Sequence, residues 1–277
     1  MKKTVLTTVS MMALLGAIGV NTAEVSAANN SANPTASNLG TTGHVIIGES
    51  KDIPPHEGGG TTDPEDPDKD IDIDDKDQDT NDKPGPLKVI SATKLNFGEV
   101  EMNGQTINKH AALTDVTTEA NAKEKRSPMI VAYGDIRLAP DYGYTLSVAL
   151  EKQFTKEGST EELTNSTITF KNAFVEQKST NENVYGTVQN GGTYEIAYSA
   201  TGDNAKSVVV ADDTAKEGKG EFVLAFGKSD FVENTDPLYN TAGESVELAV
   251  PQKTVLGLSK GNYEGVVTWK LVPTPEV

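Results

Sequence analysis

The sequence contains no cysteine, one tryptophan and three histidines among its 277 residues. Without cysteine the chain has no disulfide framework, no thiol nucleophile, and no cysteine-ligated zinc or iron–sulfur cluster. The histidines, His44, His56 and His110, are scattered along the chain, which argues against a histidine-rich metal site. We therefore expect neither a metal site nor a cofactor.

Basic residues are also scarce. There are 24 of them against 41 acidic residues, so the formal net charge is −17. A nucleic-acid-binding protein needs basic surface to displace counterions from phosphates, and we therefore expect no nucleic-acid partner. The apolar fraction of 36% lies below the roughly 45–50% usual for globular domains. This composition predicts that part of the chain lies outside a folded core.

Residues 1–27 have the pattern of a secretory signal peptide. Lys2 and Lys3 supply the positive start, Val9 to Val20 form a short apolar stretch, and Val25-Ser26-Ala27 places small residues at the cleavage position. The apolar stretch is shorter than the roughly 20 residues that a membrane-spanning helix needs, and no later run approaches that length. We predict a secreted protein without direct membrane insertion.

Two segments between this leader and the main body differ in composition. Residues 28–42 are rich in Asn, Ser, Thr and Ala, which predicts disorder. Residues 43–57 contain a β-branched island, His44–Ile47, which predicts a short strand that pairs with the main domain. The alternative for this island is a chance apolar patch in a tail.

Residues 58–86 form a Pro/Asp-rich acidic segment. Between Asp63 and Asp82 it holds eleven acidic residues and two lysines, a net charge of −9. Like charges at this density repel, so the composition predicts a disordered, solvated linker. Asp70-x-Asp72-x-Asp74 is similar to the start of an EF-hand loop, but Asp75 stands where that loop requires glycine. No specific metal site is predicted here.

Residues 87–277 consist of short apolar runs separated by turn signals. In Tyr144–Leu150, polar and apolar side chains alternate as they do in a half-buried strand. Asn103-Gly104 and Asn190-Gly191 are typical of tight turns, and helical signals are limited to a turn or two within 114–126. About nine short strands without long helices predict an all-β fold, an antiparallel β-sandwich with long loops.

Catalytic constellations are hard to assemble from this body. His110 is its one histidine, and there is neither a Gly-x-Ser-x-Gly elbow nor a phosphate-binding loop. A carboxylate pair of the glycosidase type stays open as an alternative. We predict no catalytic residues and no enzyme. Asp135 and Arg137, at i and i+2, are interpreted either as a surface ion pair or as a structural latch that orders the loop before Tyr144.

The stretch Val267–Pro273, with Trp269-Lys270-Leu271 at its centre, resembles the terminal motif of the WxL domain family of Gram-positive cell-surface proteins. Other blocks follow in the order of that family, and Tyr144-x-Leu146 stands where the family usually has Trp-x-Leu. The resemblance covers roughly residues 87–273. The remaining blocks are Leu95–Gly98, Val131–Arg137, Phe154, the 163–170 segment, 218–226 and 246–251.

This resemblance implies a noncatalytic secreted protein that attaches noncovalently to peptidoglycan or another cell-wall polymer at the cell surface. It also implies co-assembly with other cell-surface proteins, membrane-anchored ones among them. Candidate ligand-binding residues are Tyr144, Leu146, Trp269 and Leu271, with a core role as the alternative because the residues of each pair share one strand face. The alternative function is a subunit of a surface complex, or an adhesin for protein partners, with indirect wall attachment.

Overall fold

The computed structural model describes residues 45–54, 60–178, 184–230 and 232–274. The predicted leader (1–27) and the segment predicted to be disordered (28–42) lie outside them. The described residues form short strands, two 3₁₀ turns (Asn190–Gly192 and Ala242–Glu244) and one helical turn, α1 (Gln252–Val255). The strands are β1 (Thr61–Thr62), β2 (Asp70–Asp72), β3 (Gln78–Thr80), β4 (Leu87–Thr93), β5 (Ile107–His110), β6 (Thr114–Thr118), β7 (Lys123–Arg126), β8 (Ile130–Asp135), β9 (Tyr144–Lys156), β10 (Thr167–Phe170), β11 (Ala173–Glu176), β12 (Thr187–Val188), β13 (Tyr194–Ala197), β14 (Lys206–Ala211), β15 (Gly220–Phe226), β16 (Val246–Val250) and β17 (Tyr263–Pro273).

These strands build four small sheets, and each strand pair recorded among the described residues is antiparallel. We name them by their place in the fold. The cover sheet has the order β1-β2-β6-β7, the central sheet β11-β15-β8-β4-β3, the motif sheet β12-β14-β9-β17 and the side sheet β13-β10-β16-β5. The predicted all-β antiparallel class is confirmed.

The main core lies between the central, motif and side sheets. Its buried side chains come from alternate positions of strands such as β9, where Leu146, Val148 and Leu150 are buried. The central sheet contributes Val131 and Leu224 to the same cluster. Alternation along each strand therefore directs one face into a shared apolar interior, as the period-2 pattern predicts.

The central sheet is buried on both of its faces. Val131 and Tyr133 on β8 face the main core, whereas Ile130 belongs to a second apolar cluster with Val223 and Val116. Val116 lies on β6 of the cover sheet, so that sheet shields the second face of the central sheet. Burial on both faces explains why β8 and β15 are apolar at nearly every position rather than alternating.

The acidic segment supplies part of this cover, and the prediction that it is a disordered linker is wrong for the described residues 60–86. It contains β1, β2 and β3, and β2 pairs with β6. Ile71 and Ile73 are 1% and 7% exposed and pack in the second cluster. Two well-buried isoleucines and the pairing of β2 with β6 offset the charge repulsion that the composition emphasises.

Two acidic side chains of this segment are buried and paired. The Asp63 carboxylate accepts hydrogen bonds from Arg126, at 3.0 Å from Nε and 2.8 Å from Nη2, and both side chains are at most 2% exposed. Glu65 accepts a 3.0 Å bond from the backbone N–H of Ser229 and another from its hydroxyl. Burial raises the pKa of Glu65 above its usual value in spite of these bonds.

The predicted strand at His44–Ile47 is also wrong where the structure describes it. Val45, Ile46 and Ile47 form no strand and are 78–84% exposed, while His44 lies outside the described residues. Farther along the chain, Ile53 is buried, with 3% of its surface exposed. The neighbouring Asp52 carboxylate accepts a 2.8 Å bond from Lys88 Nζ.

Candidate functional site

Strand pairing brings the two short motifs together on the motif sheet. β9 carries Tyr144-x-Leu146, β17 carries Trp269-x-Leu271, and the two strands are antiparallel neighbours. Leu271 stands opposite Leu146, and Trp269 stands opposite Val148. Directly opposed residues point to the same face of a sheet, so both motifs face the main core. The i, i+2 spacing predicted a shared face within each motif, and the register extends that face across both strands.

Tyr144 and Leu146 are each 0% exposed. The Tyr144 ring packs edge-on against Tyr133, with centroids 5.7 Å apart. Burial raises the pKa of both tyrosines above the usual range, so both hydroxyls stay protonated at neutral pH. Neither Tyr144 nor Leu146 offers surface to a ligand, and their contacts are those of core residues.

Gly218 lies directly against the Tyr144 ring, and we expect Gly218→Ala to lower stability by about 1–3 kcal/mol. A Cβ atom there would stand 2.4 Å from Tyr144 Cε1 and 2.8 Å from Ala211 Cβ. The glycine also has φ of +88°, which an alanine adopts only with strain. Chemical denaturation measures the loss. Gly158→Ala is the control for φ alone, since Gly158 has φ of +69° and open space around it.

Asp135 and Arg137 stand at the end of β8 and tie it to the loop that precedes β9. Asp135 is 0% exposed and accepts bonds from Arg137 Nη2 (2.7 Å), Arg137 Nε (2.9 Å) and Lys219 Nζ (3.1 Å). Arg137 Nη2 also donates to the Gly143 carbonyl at 2.9 Å, and Lys219 donates to the Asp141 carbonyl. Both cations thus bridge one buried carboxylate to the backbone just before Tyr144. The latch that the sequence suggested stays a prediction.

Trp269 is half-buried, and it faces two environments. Its ring packs against Phe170 and Phe226 of the core, with centroids 6.0 Å away in each case. Its Nε1 is buried without a hydrogen-bond partner among the described residues, so packing alone holds the indole. Another part of the side chain lines an open cleft. Leu271 is likewise half-buried against the main core.

The cleft has a volume of about 1210 Å³ and lies between the 94–102 loop and the turn that leads into β17. We call it the loop cleft. Four half-buried aromatic side chains line it, and Phe97 packs edge-on against Phe154 at 6.2 Å. Met102 and Val266 also line the cleft and are 47% and 46% exposed. The aromatic residues are Phe97, Phe154, Tyr263 and Trp269.

The turn beside the loop cleft is held by one partly exposed carboxylate. Glu161 accepts bonds from the Tyr263 hydroxyl, the Ser259 backbone N–H (2.6 Å) and the Ser259 hydroxyl (2.8 Å). These bonds lower the pKa of Glu161 to about 2, with the Tyr263 hydroxyl as the largest cause. The carboxylate therefore stays ionised, and the turn keeps its hydrogen bonds, throughout the neutral range.

The loop cleft is the feature that sequence reasoning did not predict. Phe97 and Phe154 were noted only as parts of family blocks. Aromatic residues beside turn signals were the available sign, but their convergence depends on a loop and two strands that are distant in sequence. Trp269 is the one predicted ligand-binding residue that lines this cleft.

Within the described ranges, no cluster of three or more His, Cys, Asp or Glu side chains is placed to hold a metal ion. None of the helices in that part of the chain has the length and apolar character to cross a membrane. His110, the histidine of the main body, lies at the surface 3.1 Å from Glu247.

One comparison with known proteins is informative. The family model described as WxL domain surface cell wall-binding matches residues 34–275, nearly the whole chain. No curated protein and no solved structure matches the chain. The match includes both short motifs, the acidic segment and the loop cleft.

Proposed function

The chain belongs to the WxL family of surface cell-wall-binding domains, and from this premise we propose that the protein attaches noncovalently to the wall by binding peptidoglycan directly. The observation that carries the proposal is the family match across residues 34–275. The role is noncatalytic, in keeping with a family defined by wall binding. The formal charge of −17 fits neither nucleic acid nor an anionic membrane surface as the ligand.

The proposed location is the cell wall at the extracellular surface, after secretion. The leader pattern of residues 1–27 supports export, and cleavage after Ala27 would release the mature chain. Absence of cysteine means that the exported domain is stabilised by packing, which the three-sheet main core supports. We also propose that the central and motif sheets pack face to face as a sandwich, with side chains such as Tyr133 and Tyr144 meeting between them.

The structural latch is part of the same proposal. Asp135, held by Arg137 and Lys219, fixes the backbone at Asp141 and Gly143 and so sets the start of β9. Because the pair connects three segments around one buried carboxylate, its contribution exceeds that of an exposed ion pair. Its role is to position β9 and the motif sheet, with no contact to the ligand.

The second candidate is a subunit of a surface complex, or an adhesin, whose wall attachment is indirect. The observation that favours it is the exposed segment Val45–Ile47, three consecutive β-branched apolar residues that are each at least 78% exposed. Such a segment is suited to strand addition to a protein partner. Membrane-anchored surface proteins are partners of the required kind.

We expect the purified mature protein to sediment with peptidoglycan from which proteins and secondary polymers have been removed. Direct binding predicts similar recovery in the pellet with purified peptidoglycan and with native walls. The measurement is the bound fraction against polymer concentration, with bovine serum albumin as the background control. Sedimentation with native walls but not with purified peptidoglycan would refute direct binding and support attachment through a protein partner.

A further inference from the structure

The location of the wall polymer on the domain can be inferred from the loop cleft, and this inference rests on the proposed function. We propose that the loop cleft binds the amino-sugar backbone of peptidoglycan through stacking on its aromatic side chains, and that it excludes phosphate-bearing wall polymers. The site is distinct from the buried faces of Tyr144 and Leu146.

Size and lining favour an extended polymer segment. A cleft of about 1210 Å³ exceeds the range of roughly 300–1,000 Å³ typical of small-molecule pockets. Phe97, Phe154 and Tyr263 line it and remain partly exposed. An aromatic ring presents a flat apolar face that can cover the C–H face of a pyranose, while the hydroxyl and amide groups of the sugar stay hydrated.

The charge around the loop cleft favours wall polymers without phosphate over those that carry it. Glu99, Glu101 and Glu264 line it and are exposed. Of the lysines that line it, Lys94 is paired with Asp79 at 3.4 Å, which leaves Lys260 to face three carboxylates. The excess of negative charge repels repeating phosphate groups, and the amino-sugar backbone carries no phosphate.

The wall of the cleft is fixed before any ligand binds. Glu161 holds the Ser259–Tyr263 turn, as described above. β17 also bulges between Glu264 and Val267, where Gly265 lies so close to the Phe154 ring that a Cβ there would be 3.0 Å from it. Bulges that re-aim side chains are common at binding sites, and a preformed cleft lowers the ordering cost of binding.

Trp269 provides a direct readout, because it lines the cleft and is the one tryptophan of the chain. A soluble oligomer of N-acetylglucosamine should change its fluorescence saturably in the full mature protein. The test variant is Met102→Ala with Val266→Ala, which truncates two exposed cleft residues. The matched control is Tyr198→Ala with Tyr239→Ala, which truncates two exposed residues outside the cleft lining.

We expect the cleft variant to bind the oligomer and purified peptidoglycan about tenfold more weakly, and the control to match the parent protein. A polymer of glycerol phosphate should leave the fluorescence unchanged. If both variants sediment with peptidoglycan like the parent, the cleft proposal is wrong while direct wall binding stands. If the parent protein neither sediments with purified peptidoglycan nor responds to the oligomer, both proposals are overturned. A response to glycerol phosphate at low salt would refute the charge argument.

Discussion

Asp63→Ala is expected to lower the free energy of unfolding by about 3–5 kcal/mol, because it leaves the Arg126 guanidinium buried without its main partner. Arg126 is 1% exposed and donates three hydrogen bonds to Asp63. Glu124 lies 2.7 Å from Arg126 Nη2 and would still pair with the guanidinium in the variant. The loss of stability should therefore not exceed this range. Urea unfolding followed by Trp269 fluorescence measures it.

Two controls separate the ion pair from the charge of the segment. Asp68→Ala removes an exposed carboxylate of the same acidic segment, and its effect should stay within about 0.5 kcal/mol. Asp63→Leu combined with Arg126→Met replaces the pair with apolar side chains and should recover most of the stability. A stability loss below 1 kcal/mol for Asp63→Ala would mean that the acidic segment is solvated.

This segment shows where local composition misleads. Eleven acidic residues between Asp63 and Asp82 indicate charge repulsion. The sequence of this segment alone does not reveal that Arg126, a distant residue, pairs with Asp63, or that the central sheet has an apolar face for the segment to cover. The polar hairpin of β6 and β7 was missed for a related reason. Its strands are polar on one face, and only pairing with β2 and burial of Val116 identify them as sheet.

Alternation predicted the strand that carries Tyr144-x-Leu146, because the pattern of Tyr144–Leu150 lies within β9. The terminal-motif stretch Val267–Pro273 lies within β17. Pairing of β9 with β17 joins two strands that lie more than 100 residues apart in the sequence, which no local pattern encodes. The loop cleft depends further on the conformation of residues 94–102, which form little regular structure. The elements of the site were therefore predictable, but their assembly was not.

Tyr144→Ala is expected to cost about 3–5 kcal/mol, the usual loss when a large aromatic core residue is truncated. The ring is 0% exposed, packs against Tyr133 and fills the space in front of Gly218. The truncation would leave a cavity between the central sheet and the motif sheet, where Tyr144 contacts Tyr133. Differential scanning calorimetry or urea unfolding measures the loss, and binding to peptidoglycan should fall only in the fraction of protein that has unfolded.

Tyr144→Phe distinguishes a core role of this motif from a contact with the wall. It keeps the ring and removes only the hydroxyl, so stability should change by about 1 kcal/mol or less. Wall binding should be unchanged, since Tyr144 has no surface for a ligand, whereas Met102→Ala with Val266→Ala should weaken binding at unchanged fold. A stable Tyr144→Phe protein that no longer sediments with peptidoglycan would contradict the core role. Retained binding would mean that the motifs build the motif sheet, and that the wall is bound by side chains which this sheet and its neighbouring loops present.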